Sequence, residues 1–120
     1  MKRIALGVGL LLACATVQAG GNADNGKQLV LNPDPKVEKS KGKGCATCHG
    51  EDGNKPSAAD QPILAGQHYD YLVRALTDYK IGRRTNPIMK GFAAQLSKQD
   101  IQDLAAWFAS QQKTSLHDQR

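Results

Sequence analysis

The five residues Cys45-Ala46-Thr47-Cys48-His49 constrain this chain more than any other part of it. Cysteines three apart on a tight helical turn turn their sulfurs the same way, and His49 follows at once. Two thiols so placed can both add to the two vinyl groups of one porphyrin, with the histidine delivered to its iron, which is the c-type haem attachment pattern. Two other readings use the same residues. A zinc site needs four ligands, and after the leader the chain offers no further cysteine, only His68 and His117 as distant partners. A thioredoxin-like redox pair sits between a strand and a helix, and no segment here shows the sustained alternation of a strand.

The chain opens with Lys2 and Arg3, an apolar run over residues 4–12 and small residues up to Ala19. That is the layout of an export signal and is too short to span a bilayer. The expected cut follows Ala19, leaving residues 20–120 as one domain. Leu11-Leu12-Ala13-Cys14 also has the form of a lipoprotein cleavage site, in which Cys14 would be lipidated and would tie the protein to a membrane. On the preferred cut only Cys45 and Cys48 remain, and in an oxidising compartment two cysteines alone would be read as one disulfide.

Beyond the leader the chain holds 14 basic and 11 acidic residues. This is too little charge, too scattered, for nucleic acid, which calls for a basic stripe with interleaved aromatics. An aromatic content of 5% is low for a domain that fills its own interior with side chains, and a large planar cofactor would supply the bulk.

Helices are expected over 23–31, over 68–81 and from Ser97 to about Gln112. In the second, Leu72, Ala75, Leu76 and Tyr79 recur at helical spacing before Gly82. In the third, Ser97 and Asp100 form a capping box ahead of Ile101, Leu104, Ala105 and Phe108. Pro33 and Pro35 break the first helix, and the Lys- and Gly-rich stretch 36–44 reads as an exposed loop. Residues 50–66 read as a long irregular loop, and 83–95 as another around Pro87 and Gly91. The expected fold class is all-α with large loops.

The sixth position on the iron decides between carrying electrons and binding substrates. Met89 is the one methionine left beyond the leader, and a thioether is a soft ligand that favours the reduced iron. Its competing reading is a flexible gap-filler in a packed loop. His68 and His117 are the other candidates, the first as a polar helix start and the second as part of a tail.

Taken together, residues 45–49, Gly50-Glu51-Asp52-Gly53-Asn54, Pro62-Ile63-Leu64-Ala65-Gly66-Gln67, Tyr71-Leu72 and a methionine followed by Leu96-Ser97 resemble the class I c-type cytochromes. Within them the chain looks most like the small bacterial c-four and c-five groups. The resemblance implies a cytochrome c fold in which the first and last helices cross near Gly26, Val30, Leu104 and Phe108, around one covalent haem c held by Cys45 and Cys48. It implies that the Pro62 carbonyl accepts a hydrogen bond from the ring of His49 and that Leu64 touches the porphyrin, against the readings of a plain loop proline and a buried leucine. Arg83 and Arg84 have a propionate-pairing reading and a solvated one.

The expected function is a periplasmic one-electron shuttle, not an enzyme, with His49 and Met89 on the iron. A quinol-oxidising complex or dehydrogenase would be its donor and a terminal oxidase or reductase its acceptor. The alternatives are a haem-bearing subunit of a larger redox enzyme, and an open-site haem enzyme or sensor. The stretch 32–44 departs from the simplest family members, and its Lys36, Lys39, Lys41 and Lys43 have both a partner-steering and a solvated-loop reading.

Overall fold

The computed structural model describes residues 20–31 and 44–114. The expectations for the leader, Cys14, the lysines between 36 and 43, and His117 lie outside the described residues. Five helices follow one another: α1 (Ala23–Leu31), α2 (Cys45–His49), α3 (Tyr69–Ile81), α4 (Pro87–Ala93) and α5 (Lys98–Ser110). No strand occurs among the described residues, and none of their helices is long and apolar enough to cross a membrane.

Helix α1 begins where the Asn22 side chain accepts from the Asp24 and Asn25 amides at 2.9 and 3.1 Å, satisfying donors a helix start leaves free. It crosses α5 so closely that a Cβ on Gly26 would lie 2.0 Å from the Asp103 carbonyl oxygen and 2.8 Å from Trp107 Cβ. Only a residue without a side chain lets these backbones meet. Around the crossing Val30, Leu72, Leu104, Ala105 and Phe108 form the dry core. Burying Leu104 and Phe108 stabilises the fold by about 2 kcal/mol each. The expected crossing point and the apolar face of α5 are both present.

A buried carboxylate sits in the same crossing. Asp103 accepts from the Asn22 amide at 2.7 Å and from Gln99 Nε2 at 2.8 Å, so its burial is matched by hydrogen bonds. Helix α5 starts at the expected capping box, with the Asp100 amide donating to Ser97 Oγ at 3.0 Å and the Ser97 amide to the Asp100 carboxylate at 2.7 Å. Helix α3 stops at Gly82, which takes the left-handed conformation at φ 81 that glycine adopts without strain.

One expectation is corrected. Residues 87–93 are not loop: they form α4, and Met89 stands on a helix. Pro87 occupies the first turn, where its missing N–H costs nothing, and the Asn86 side chain accepts from the Ile88 and Met89 amides at 3.1 and 3.0 Å. Asn-Pro here starts a helix; it does not break one. Helix α4 packs against α3, and α3 against α5.

Candidate functional site

Helix α2 is a single five-residue turn that carries Cys45, Cys48 and His49 together. What holds so short a helix is the loop after it. The Lys55 amide donates to the His49 carbonyl at 3.2 Å, and the Ser57 amide to the Cys48 carbonyl at 2.9 Å. The Leu64 and Ala65 amides donate to the Gly53 carbonyl at 2.8 and 3.2 Å, and the Gly66 amide reaches the Phe108 carbonyl on α5 at 3.0 Å. Gly53 lies at φ 79, and a Cβ there would stand 2.8 Å from both Phe108 Cδ1 and the Ala65 nitrogen. The long loop expected over 50–66 is therefore irregular but tied down.

Three further side chains, none given a role by the sequence, fasten it. Trp107 Nε1 donates to the Glu51 carbonyl at 2.9 Å. Asn54, 2% exposed, donates to the Asp52 carboxylate and to the Gln112 carbonyl, each at 3.0 Å, and accepts from the Thr114 amide at 2.9 Å. Gln61 accepts from the Ser57 and Ala58 amides at 2.9 and 3.1 Å. Asn54 and Trp107 bridge segments more than 50 residues apart, and a contact at that range leaves no local signal.

His49 is buried, at 6% exposure. Its Nδ1 lies 2.9 Å from the Pro62 carbonyl oxygen, and since a carbonyl only accepts, Nδ1 carries the proton and donates. The other ring nitrogen, Nε2, has no hydrogen-bond partner among the described residues and is the one left to bind a metal. This is the arrangement by which an outer hydrogen bond sets the orientation and basicity of a ligating imidazole. Burial pushes the Cys45 thiol up to about 11, a rise its own backbone amide partly offsets and Cys48 adds to. Among the described residues no group of three or more His, Cys, Asp or Glu is placed to hold a metal ion.

Met89 is half-buried on α4 and lies near His49. His68 is exposed immediately ahead of α3. Leu64 is half-buried and packs on the core cluster, as do Cys45, Ala46, Leu76 and Leu96. Arg83 pairs with Asp78 at 3.4 Å, while Arg84 reaches the Tyr71 hydroxyl at 3.5 Å and lies 5.0 Å from the centre of the Tyr79 ring. The donor set is two adjacent thiols and one imidazole with a fixed proton and a free nitrogen, beside apolar side chains the protein itself half covers. Those residues fit a covalently attached haem.

Comparison with known proteins agrees. The cytochrome c family profile matches residues 23–112. Cytochrome c4 of Pseudomonas aeruginosa is 46% identical over 78 residues, covering 65% of this chain and 38% of that protein. The cytochrome subunit of sulfide dehydrogenase from Chlorobaculum tepidum is 32% identical over 109 residues, covering 87% of this chain and 97% of that protein. The solved cytochrome c4 of Acidithiobacillus ferrooxidans superposes with a TM-score of 0.61 at 33% identity, over 73% of this chain and 49% of that one. The chain thus spans about half or less of the c4 proteins it matches, and nearly the whole of the sulfide dehydrogenase subunit. A cytochrome c domain carries haem c bonded through its cysteines. With its all-helical fold and its Cys45–His49 turn, the chain belongs to the cytochrome c family, as a class I c-type cytochrome close to cytochrome c4.

Proposed function

We propose that this protein is a monohaem electron carrier of the periplasm, exported by residues 1–19, that moves one electron at a time between redox proteins. The observation that carries the reading is the buried His49 ring, its Nδ1 fixed on Pro62 and its Nε2 free, one residue from the attachment cysteines. When bound, haem iron supplies the one-electron ferric/ferrous couple. Cys45 and Cys48 anchor the porphyrin. His49 through Nε2 and Met89 through its thioether would be the iron's protein ligands, and Leu64 would line the haem pocket. A thioether ligand from Met89 would favour the reduced iron and would leave no place for a substrate. The partners are a quinol-oxidising complex or dehydrogenase as donor and a terminal oxidase or reductase as acceptor.

The test is the absorption spectrum of the purified, exported protein in its oxidised state. A weak far-red band from sulfur bound to ferric iron is expected, and Met89→Ala should abolish it while the haem remains. Ready binding of carbon monoxide by the wild type would sink the closed-site reading and favour an open-site haem enzyme or sensor.

A second reading has one observation behind it: the length match to the Chlorobaculum tepidum protein, whose name makes it the cytochrome subunit of a dehydrogenase. On that reading the chain works inside a larger redox enzyme. Isolation as a stable monomer that is reversibly reduced on its own supports the free carrier, and co-purification with a second, substrate-oxidising chain supports the subunit.

A further inference from the structure

The charges of this molecule are sorted. Over residues 74–98 stand six basic residues, Arg74, Lys80, Arg83, Arg84, Lys90 and Lys98, against one acidic residue, Asp78. In the other described residues the balance reverses, with Asp24, Glu51, Asp52, Asp60, Asp70, Asp100 and Asp103 against Lys27, Lys55 and Lys113. The single acid of the basic stretch is already shared between two cations, Arg74 at 3.9 Å and Arg83 at 3.4 Å. Asp100, the acid next along the chain, is turned back onto the Ser97 amide.

The fold brings Lys80, Arg84, Lys90 and Lys98 around the C-terminal end of α3, where a Cβ on Gly82 would lie 3.7 Å from Lys90 Nζ. The basic stretch comprises the second half of α3, the turn after it, the whole of α4 and the first residue of α5. Two hollows are lined from the C-terminal end of α3, one reaching Ile81 and the other the next residue, Gly82. One, of ≈ 340 Å³, is lined by Arg84, Lys90 and the 82–87 turn. The other, of ≈ 320 Å³, has Val73, Ile81 and Ile101 as its apolar lining, with Lys80 and Lys98 beside them. No acidic side chain lines either hollow. The same elements expose two large apolar side chains, Ile88 at 67% and Ile81 at 55%. Helix α4, which bears Met89, also bears Ile88 and Lys90.

We propose that this α3–α4 face is the docking surface of an acidic redox protein, whose carboxylates meet Arg83, Arg84, Lys90 and Lys98 and whose apolar patch covers Ile81 and Ile88. The inference rests on the carrier reading above. It names the partner's chemistry and sets the point of entry on the helix that bears Met89. Opposite charge speeds encounter and fixes orientation, and the apolar contact supplies the area from which water is expelled.

The experiment uses the holoprotein in its reduced form and two small oxidants, anionic hexacyanoferrate(III) and cationic tris(phenanthroline)cobalt(III), compared at equal driving force. The anion's rate should fall as salt rises, and the double variant Lys90→Glu/Lys98→Glu should lower it about tenfold at low salt while raising the cation's rate. Mapping of amide shifts against plastocyanin, chosen only because it is acidic and redox-active, should mark Ile81, Arg84, Ile88 and Lys90, and Ile88→Ser should weaken that binding severalfold. An unchanged absorption spectrum shows that each variant keeps its haem site. Anion rates indifferent to the double variant, or dropping instead when Lys36, Lys39, Lys41 and Lys43 are all changed to Gln, overturn the proposed face. A wild type with no reversible one-electron couple would overturn the carrier reading itself, a result visible before any variant is made.

Discussion

The α1–α5 crossing and the α3–α4 side are built to opposite standards. At the crossing Gly26, Val30, Ile101, Asp103, Leu104, Ala105 and Phe108 are buried, and backbone nearly touches backbone. On the other side α3 buries only Leu72 and α4 only Ala93, while Tyr71, Ile81 and Ile88 are largely exposed. The first region holds itself together with protein atoms alone. The second has an apolar face at helical spacing, Ala75, Leu76 and Tyr79, that the protein half covers. The molecule thus has one half that packs on itself and one that is only half covered.

The sharpest way to break this contrast is one extra carbon at Gly26. A Cβ there would sit 2.0 Å from the Asp103 carbonyl oxygen, which is backbone and has nowhere to move unless the helices part. Gly26→Ala should cost about 3 kcal/mol or prevent folding altogether, measured by urea denaturation with haem attached. A loss below about 0.5 kcal/mol would mean the crossing is looser than it looks.

Next in size is Asn54→Ala, which removes the side chain that ties the loop after α2 to the segment after α5. It strips the Gln112 carbonyl and the Thr114 amide of their partner, and the expected cost is about 2 kcal/mol. Hydrogen exchange should quicken at Thr114 while α3 amides stay protected, since α3 takes no part in the tie.

A matched pair of cap deletions compares the two halves directly. Ser97→Ala removes the α5 cap and Asn86→Ala the α4 cap, each at about 1 kcal/mol. The first should lower the thermal midpoint of the whole protein. The second should leave that midpoint almost in place but weaken the far-red band, because the helix it loosens is the one that carries Met89. Equal effects of the two on both readouts would dissolve the distinction. Gly91→Ala makes the smaller, opposite test: nothing lies within 4 Å of a Cβ at this position, so alanine should stabilise α4 by about 0.5 kcal/mol through helix propensity alone. The same substitution is therefore ruinous in one half and helpful in the other.

What was legible in the sequence follows the same division. The ends of α1, the capping box of α5, its buried face and the glycine stop of α3 are local patterns, and each is present in the fold. The Cys45–His49 turn is equally local. Helix α4 was missed because Pro87 and Gly91 were both weighed as breakers, although Asn before Pro is a helix start when a first turn follows. Asp103 and Trp107 carry no local mark, and Asn54 enters only as the end of the Gly50–Asn54 run, since each does its work across 50 residues or more. The contact between His49 and Pro62 was expected only by resemblance, as 13 residues of loop separate them.

The smallest expected effect concerns acid. Two hydrogen bonds from Asn54, its side-chain amide and its backbone amide, hold the Asp52 carboxyl below the ordinary carboxylate value of 3.8. A group whose pKa is depressed on folding adds stability that is fully present above its unfolded value and is lost as pH falls toward the folded one. The loss therefore begins below about pH 4. Asp52 is only half-buried, so solvent screens much of the effect. In Asp52→Asn the side-chain oxygen can still accept one bond but does not titrate. The difference in urea midpoint between wild type and variant should be flat from neutral pH down to about pH 5 and shrink below pH 4. Because Asp52 acts through Asn54, the loosening should show first at Thr114, in the half that holds itself together, and leave the amides of α4 untouched. A difference that grew toward low pH would mean that Asp52 is held by something other than Asn54.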